Sequence, residues 1–407
     1  MTRFTPRLSR GTGAARWVPA LIVLLLVGPV LAADWPQWRG PNRDGISSET
    51  GWTYRWPATG PKRLWQARVG EGYSSVAVAD GRLYTMGAFG GKDVVTCLDA
   101  ESGKKIWTYE YACKEFREYS GTRATPTVDR GRVYTLSREA QAFCLDARTG
   151  KVFWATDMRK ALGVRSPGRG HASSPLVYGN LVIYNVGGAG TALDRQTGKV
   201  VWSSGPGPGG YAAATAYTLG KQKGVAIFAA GRIVGLNPRT GKEYWSYPWP
   251  TMYGVNAADP VFAGNRVFIS SSYNMGCALL RVVNNKPALL WRNRNMANHT
   301  NGSIIIGETL YGNDRNTLKA IDLKTGEPTW QERGIGRGGL IAADGKLIVL
   351  TSRGELLIVK ATPAKYEELA RAKVMDGTCW ISPVLANGRI YGRNHEGDLI
   401  CLDVRAR

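Results

Sequence analysis

A ten-residue segment, LDARTGKVFW at residues 145–154, constrains the fold of this chain more than any other feature. It predicts the end of an apolar strand, a tight turn in which Gly150 takes a positive φ, and the start of the next strand. Close copies occur at residues 98–107, 193–202, 236–245 and 321–330. Five copies at a period of roughly 40–50 residues indicate a repeat architecture.

Each copy lies within a longer unit that opens with a short apolar strand, a turn with Gly or Asp-Gly and a second strand that ends near an aromatic residue. Eight such openings follow one another from residue 75 to the C-terminus. Each unit predicts four antiparallel strands, and one such sheet cannot bury both of its faces alone. Radial stacking around an axis solves this problem. The sequence therefore predicts an all-β, eight-bladed β-propeller of four-stranded antiparallel blades.

The two ends of the chain predict how the ring closes. Residues 62–69 have the pattern of a final strand, with Trp65 at the position of the repeat tryptophan, but no strands of the same unit precede them. The last unit ends at Asp403 without its final strand. We therefore expect the N-terminal strand to pair with the last blade, beside the strand that ends at Asp403.

Two units depart from the pattern. In the fifth unit, residues 283–287 replace the usual turn, although Trp291 still follows. In the seventh, residues 360–371 predict a short helical or irregular excursion, and no tryptophan follows. Both departures are interpreted as surface variation.

The N-terminal region divides into two predicted segments before the propeller at residues 62–407. Residues 1–32 are typical of a secretory signal peptide, with arginines, an apolar core and a small-residue end. They predict export to the periplasm or cell envelope, or secretion, and no transmembrane domain after cleavage; an uncleaved anchor is the alternative. Residues 33–61 are rich in Trp, Gly and Pro and predict an irregular segment pinned by two tryptophans across a sheet face or channel mouth. A lid or a partner-docking role is the alternative for this segment.

The formal net charge of +22 favours acidic partners such as an anionic polysaccharide, a membrane surface or nucleic acid. A basic, well-solvated surface without a dedicated site is the alternative. Nucleic acid is not expected to be the partner, because the chain is predicted to be exported and carries no groove-reading motif.

The six cysteines fall into two sets. Three of them, Cys97, Cys144 and Cys401, occupy the same repeat position before Leu-Asp and are expected to pack in the core. The other three are irregularly placed and leave one disulfide open. These are Cys113, Cys277 and Cys379.

The repeat resembles the pyrroloquinoline-quinone-type (PQQ-type) propeller repeat, and the resemblance covers about residues 62–407. In that family the repeat tryptophan docks between neighbouring blades. One branch comprises quinoprotein dehydrogenases. Another comprises non-catalytic proteins such as the scaffold subunit of the outer-membrane β-barrel assembly machinery. The start of the segment, residues 34–42, also resembles exported propeller proteins of planctomycete-type bacteria. The tryptophans predicted for the docking role are Trp65, Trp107, Trp154, Trp202, Trp245, Trp291 and Trp330.

The dehydrogenase branch implies a quinone held between a tryptophan and a disulfide of two adjacent cysteines, beside a calcium ion and an Asp base. No two cysteines are adjacent here, and no calcium-ligand set can be assigned. Trp380 is the one aromatic residue that can be placed under a planar ligand, with inter-blade packing as its alternative role. No cofactor and no catalytic residue are therefore predicted, and PQQ with calcium is the alternative.

The loops that lead into the innermost strands of a propeller converge on its axial channel, so a ligand meets the residues just before each unit. Arginines, amides and aromatic rings at these positions suit a polar or anionic ligand, and a water-filled channel is the alternative. His171 and His299 occupy equivalent positions and could face each other, but two histidines do not make a zinc site, so no metal is predicted. The candidate ligand-binding residues are Arg123, Arg169, His171, Tyr211, Asn256, His299, Asn301, Arg337 and Trp380.

The sequence thus predicts an exported, monomeric and non-catalytic propeller that binds an envelope protein or an anionic polysaccharide. The alternative is a PQQ-dependent dehydrogenase that oxidises alcohols or sugars. A carbohydrate sensor is a third interpretation.

Overall fold

The computed structural model describes residues 1, 2, 5, 33–114 and 118–406. The segment predicted as a signal peptide lies outside the described residues, apart from residues 1, 2 and 5. None of the helices in the described ranges has the length and apolar character needed to cross a membrane. The described chain forms eight separate sheets, each containing a four-stranded antiparallel blade, which confirms the predicted eight-bladed propeller.

The strands are numbered in chain order, and two of them precede the first complete blade. Strand β1 is Ile46–Ser47 and β2 is Arg63–Arg68. Blade 1 contains β3 Ala77–Ala79, β4 Arg82–Phe89, β5 Lys92–Asp99 and β6 Lys105–Ala112. Blade 2 contains β7 Thr127–Asp129, β8 Arg132–Leu136, β9 Gln141–Asp146 and β10 Val152–Asp157, followed by the short helix α1 Met158–Leu162. Blade 3 contains β11 Leu176–Tyr178, β12 Leu181–Tyr184, β13 Thr191–Asp194 and β14 Val200–Ser203.

The second half of the ring repeats this arrangement. Blade 4 contains β15 Thr215–Leu219, β16 Gln222–Phe228, β17 Arg232–Leu236 and β18 Glu243–Pro248, followed by a 3₁₀ turn at Met252–Gly254. Blade 5 contains β19 Val261–Ala263, β20 Arg266–Ser271, β21 Gly276–Val283 and β22 Lys286–Asn293. Blade 6 contains β23 Ile304–Ile306, β24 Thr309–Asp314, β25 Thr317–Asp322 and β26 Pro328–Arg333. Blade 7 contains β27 Gly339–Ala343, β28 Lys346–Leu350, β29 Glu355–Lys360 and β30 Glu368–Lys373. Blade 8 contains β31 Val384–Ala386, β32 Arg389–Arg393 and β33 Asp398–Asp403.

The ring closes where the sequence predicts it. Strand β2 completes blade 8 by antiparallel pairing with β33, and Trp65 lies opposite Cys401. A buried arginine on β32 adds a second connection across the closure. The guanidinium of Arg393 donates to the carbonyls of Gly70, Ser74 and Met86 at 2.6–2.8 Å. The last blade is thus joined to the first by both a strand ladder and a side chain.

Repeat tryptophans join neighbouring blades. The Trp107 indole N–H donates to the carbonyl of Ala147, in the LDARTGK turn of the next blade. Gly150 of the same turn lies under the indole ring, so that a Cβ at this position would meet the ring at 2.6 Å. The glycine of the repeat is therefore required both by its φ of +73° and by the ring above it. Six tryptophans reach a carbonyl of the next blade in this way, at 2.7–3.2 Å: Trp65, Trp107, Trp154, Trp202, Trp291 and Trp330.

Two glycines with nearly the same φ allow the effect of the positive φ and the effect of the ring contact to be measured separately. Gly131 has a φ of +72° and open space around its missing Cβ, whereas Gly150 carries the ring of Trp107. We expect Gly131→Ala to lower the free energy of unfolding by about 1 kcal/mol, the cost of a left-handed alanine. Gly150→Ala should cost about 3 kcal/mol, because the added methyl also displaces the indole. Urea denaturation of both variants measures the difference, and equal losses would contradict a role for the ring contact.

The two irregular units have separate explanations. In blade 5, Asn284 and Asn285 take positive φ in a tight hairpin that replaces the usual turn. Trp245 of blade 4 therefore meets no such turn, and its indole donates to the Tyr217 hydroxyl of its own blade at 2.9 Å.

In blade 7 the helical option for residues 360–371 is wrong, because β30 pairs with β29 from Glu368 onwards and Ala370 lies opposite Ile358. The ladder satisfies the backbone groups of this edge, which a helix would leave unpaired.

All six cysteines are buried free thiols, so the disulfide left open by the sequence is not formed. Cys97, Cys144 and Cys401 lie opposite a repeat tryptophan on the adjacent strand, as expected for core positions. Burial raises the pKa of the Cys97 and Cys401 thiols to about 12, which makes them poor nucleophiles at neutral pH.

Residues 33–54, here called the strap, cross the inner side of the ring. Strand β1 of the strap pairs in parallel with β27 of blade 7. Arg39 and Arg43 are buried and donate to backbone carbonyls at the inner ends of distant blades. The strap contacts every blade in turn, through Val78, Val128, Pro175, Ala214, Asp259, Ser303, Ala342 and Gly388.

Candidate functional site

A cavity of about 120 Å³ opens among the loops that lead into the inner strands. One water molecule needs about 10–15 Å³, so the cavity has room for several. Trp38 of the strap forms part of its wall. The cavity thus lies on the axis, at the end of the ring where the sequence places the candidate residues. Six of the candidates line it: Arg123, Arg169, Tyr211, His299, Asn301 and Trp380.

The remaining three candidates lie elsewhere. Arg337 lines a smaller depression next to the cavity, together with His299 and Asn301. Asn256 is fully buried and acts as a structural bridge, since its amide donates to the carbonyls of Ala229 and Trp249 and its oxygen accepts from the Ser271 hydroxyl.

His171 does not line the cavity, whereas His299 does. Its backbone N–H donates to the carbonyl of Arg138 in blade 2, which holds the ring in the protein interior with 1% of its surface exposed. Burial, together with nearby Arg159, lowers the pKa of His171 to about 4. His171 is therefore buried beside blade 2 and is not among the described residues that line the cavity.

Aromatic rings surround Trp380 in the cavity. The Tyr73 ring stacks on Trp380 with centroids 6.1 Å apart and an interplanar angle of 29°. Tyr119 lies 6.2 Å from Trp380, and the His299 ring lies 6.1 Å away and meets it nearly at a right angle. Tyr273 extends the series at 5.9 Å from His299. The rings form a continuous concave wall.

Sequence reasoning did not name Tyr119 or Tyr273, and it named Trp38 only as one of the two tryptophans expected to pin the N-terminal segment across a sheet face or channel mouth. Tyr273 belongs to the loop between β20 and β21, the second and third strands of blade 5. In an up-and-down blade this loop lies at the same end as the loop that leads into the first strand. The tyrosine could therefore have been found by including both sets of loops. Tyr119 lies before β7 in the same loop as Arg123, so the loops that lead into the inner strands could also have identified it.

Three arginines give the cavity region its charge. The Arg123 guanidinium donates to the carbonyl of Tyr119 at 2.6 Å, and burial and nearby Arg138 lower the pKa of Arg123 to about 10, so it stays charged at neutral pH. Arg169 pairs with the exposed carboxylate of Glu118 at 3.5 Å. Arg337 lies 5.1 Å from the ring centroid of Trp380.

Negative charge in the wall is already compensated. Asp259 is the only carboxylate among the described residues that line the cavity. It accepts from the Trp38 indole at 2.5 Å and from the Ala213 amide at 2.7 Å, and Arg39 lies 3.9 Å away. Burial and the two nearby arginines Arg337 and Arg169 lower the pKa of His299 to about 4, which keeps it neutral. The described lining thus combines two arginines, Arg123 and Arg169, with one carboxylate that already accepts two hydrogen bonds.

Three tyrosines at the mouth have left-handed backbone conformations. The φ angles of Tyr119, Tyr253 and Tyr273 are 55°, 64° and 59°. No other aromatic residue in the described part of the chain has a positive φ. Such a conformation costs a bulky residue about 1–3 kcal/mol and is found where a site requires it.

A planar quinone beside a calcium ion, the pair that the dehydrogenase branch implies, does not fit this cavity. Two ring contacts on either side of a planar ligand need about 7 Å, whereas the stacked Tyr73 and Trp380 rings lie 6.1 Å apart. Calcium takes about six to eight oxygen ligands, and Asp259 already accepts hydrogen bonds at both of its oxygens. Within the described residues, no group of three or more His, Cys, Asp or Glu is placed to hold a metal ion.

Comparison with curated proteins shows two kinds of relative. A quinoprotein alcohol dehydrogenase, PedH of Pseudomonas putida, is 29% identical over 165 residues, which are 38% of this chain and 27% of that protein. Outer membrane protein assembly factor BamB of Escherichia coli is 33% identical over 105 residues, which are 24% of this chain and 26% of that protein. The chain therefore spans about a quarter of the length of these relatives.

Solved structures show the same fold at lower identity. BamB from Moraxella catarrhalis has a TM-score of 0.64 and 18% identity, covering 84% of this chain and 99% of that one. A europium-containing methanol dehydrogenase has a TM-score of 0.64 and 14% identity, covering 91% of this chain and 89% of that one. The family model described as outer membrane protein assembly factor BamB matches residues 52–118 and 91–332. Since this match covers more than half of the chain, the protein belongs to that family of PQQ-type propellers.

Proposed function

We propose that the protein is an exported, non-catalytic propeller of the cell envelope that binds an anionic ligand in its axial cavity. One observation carries the proposal. Arg123 and Arg169 line the cavity and Arg337 lies beside it, while the single carboxylate of the described lining, Asp259, is already paired. Guanidinium groups bind carboxylate, sulfate and phosphate groups with charge-assisted hydrogen bonds.

Two further features support binding over catalysis. The cavity wall combines aromatic faces with a few polar groups, the usual composition of a ligand site. The described lining contains no cysteine, and its one histidine, His299, is held neutral and has no hydrogen-bond partner at Nδ1. Membership of a family described as an outer membrane assembly factor, and the resemblance to its scaffold subunit, support a place in the envelope.

The oxidation of alcohols or sugars with PQQ is the second candidate, since several quinoprotein alcohol dehydrogenases are relatives. It is disfavoured by the geometry around Trp380 and Asp259 described above. Titration of the protein with PQQ and calcium separates the two candidates. We expect no saturable binding and no dye-linked oxidation of alcohols or sugars, and turnover would favour the dehydrogenase.

The binding prediction is tested with two carboxylate-rich probes, tri-galacturonate and tri-glutamate, by isothermal titration calorimetry. At least one probe should bind saturably, and Arg169→Gln should weaken its binding by about 10–100-fold, the loss expected for one charge-assisted hydrogen bond. Arg148→Gln is the matched control, because Arg148 is exposed on the turn of blade 2, away from the cavity. Absence of binding by these two probes and by every other acidic probe, or the same loss in both variants, would contradict the proposal.

A further inference from the structure

We propose that the anionic ligand is an acidic oligosaccharide and that Tyr119, Tyr253 and Tyr273 are its specificity-determining contacts. This inference rests on the proposed function, because it names the ligand class of the same cavity. It starts from the backbone of these three residues, each of which places an aromatic ring at a position with positive φ.

The other non-glycine residues with positive φ in the described chain are asparagines, aspartates, arginines and one alanine, and none is aromatic. Asp80 and Asn387 have φ angles of 51° and 55° and belong to tight turns between the first and second strands of their blades. Asp, Asn and Gly tolerate this region with little steric cost, whereas an aromatic side chain does not. At 55–64°, Tyr119, Tyr253 and Tyr273 hold an aromatic ring where a smaller residue would relieve the backbone.

Packing does not account for the tyrosines either. The Tyr253 side chain is among the most exposed of the large apolar residues, at 71%. Tyr119 and Tyr273 are half-buried and line the cavity. Within the described residues, none of the three hydroxyl groups forms a hydrogen bond to the protein. The rings and their hydroxyls are therefore available to a ligand.

The arrangement of the rings favours a sugar over a flat ligand. Tyr253 meets Tyr273 at an interplanar angle of 80°, with centroids 6.0 Å apart, and Tyr73 meets Tyr119 at 60°. Rings at such angles line a concave pocket and do not present two parallel faces. A puckered pyranose presents C–H faces and hydroxyls on several sides, so angled rings with free hydroxyls complement it.

Arg169 accounts for the preference for an acidic ligand. Its guanidinium lies 5.4 Å from the ring centroid of Tyr119 and 5.9 Å from that of Tyr253. Its ion pair with Glu118 is exposed, since 73% of the Glu118 side chain is accessible, so a ligand carboxylate can replace Glu118 as its partner. A uronate or sulfated sugar ring would then have its charge at Arg169 and its C–H faces against the tyrosines. An acidic peptide offers the charge without a saturated ring for the aromatic wall.

The test compares acidic sugars with an acidic peptide by isothermal titration calorimetry. The probes are tri-galacturonate, tri-glucuronate, a sulfated trisaccharide, uncharged galactotriose and tri-glutamate. We expect at least one acidic trisaccharide to bind at least 10-fold more tightly than both galactotriose and tri-glutamate. Equal or tighter binding of tri-glutamate would overturn the sugar inference and leave the anionic-ligand proposal standing. Failure of every acidic probe would overturn both.

Variants of the tyrosines separate a binding role from a structural one. Tyr253→Asn and Tyr273→Asn should each weaken acidic-sugar binding at least 10-fold, with a melting temperature that is unchanged or higher. Tyr253→Phe should keep most of the affinity, since it keeps the ring. Phe153→Asn is the matched control: this ring is 47% exposed under Arg132 at 4.3 Å, on the outer strand of blade 2, and its loss should leave affinity unchanged. A lower melting temperature with unchanged affinity in the Asn variants would overturn the inference.

Discussion

Replacing Arg393 with leucine is expected to lower the free energy of unfolding by about 4 kcal/mol, a loss at the upper end of single substitutions. Only 2% of Arg393 is exposed, and its guanidinium donates to three carbonyls and to the Thr85 hydroxyl at 2.6–2.8 Å. Burial lowers the pKa of Arg393 to about 9, so it remains charged at neutral pH. Leucine leaves these buried acceptors without donors, at a cost of about 1–3 kcal/mol for each group that water cannot reach.

The substitution Arg393→Leu should also destabilise the propeller locally, at the junction between blades 8 and 1. The acceptors of Arg393 belong to blade 1 and the loop before it, whereas Arg393 lies in blade 8. Hydrogen exchange should therefore accelerate first at the amides of β2 and β33. Arg68→Leu is the matched control, because Arg68 lies in the same blade with 64% of its side chain exposed and pairs with Asp398. Its loss should cost under about 1 kcal/mol, and equal effects of the two variants would contradict the assignment.

Asp259→Ala should destabilise the protein by about 3–5 kcal/mol, because it leaves buried positive charge without its partner. Arg39 and Arg43, at 7% and 8% exposure, both lie in the field of this carboxylate. The substitution also removes the acceptor of the Trp38 indole and of the Ala213 amide. The strap is then expected to detach from the inner side of the ring while the blades stay folded.

Limited proteolysis and calorimetry measure this detachment. Cleavage within residues 33–54 should become faster, and binding of the acidic probes should weaken, since Trp38 leaves the cavity wall. Asp259→Asn keeps an acceptor for the Ala213 amide and should show a smaller effect. Asp376→Ala serves as the control, because 95% of the Asp376 side chain is exposed. Unchanged cleavage of the strap in Asp259→Ala would show that the ion pair does not hold it.

Repetition is the reason that so much of the fold could be predicted. Each LD-turn-Trp unit encodes its own hairpin locally, and the missing strand at one end of the chain matches the unpaired strand at the other. Trp65 beside Cys401 follows from this count. The path of the strap could not be predicted in the same way, because Arg39 and Arg43 bond to carbonyls 264 and 132 residues further along the chain. No local pattern carries such contacts.

The candidate site was predictable to the extent that topology determines it. Loops before the inner strands must converge on the axis, which brings Arg169, His299 and Trp380 to one cavity. The direction of an individual side chain within a long loop depends on its neighbours. His171 therefore turned inward through one backbone bond to Arg138, although it occupies the same repeat position as His299.

The strap has a consequence for the order of assembly. It precedes every blade in the chain, yet its partners extend from Val78 to Gly388. Contacts between residues so far apart in sequence form late, after the loops between them have closed. We therefore expect the strap to take its final position last, after the blades have formed.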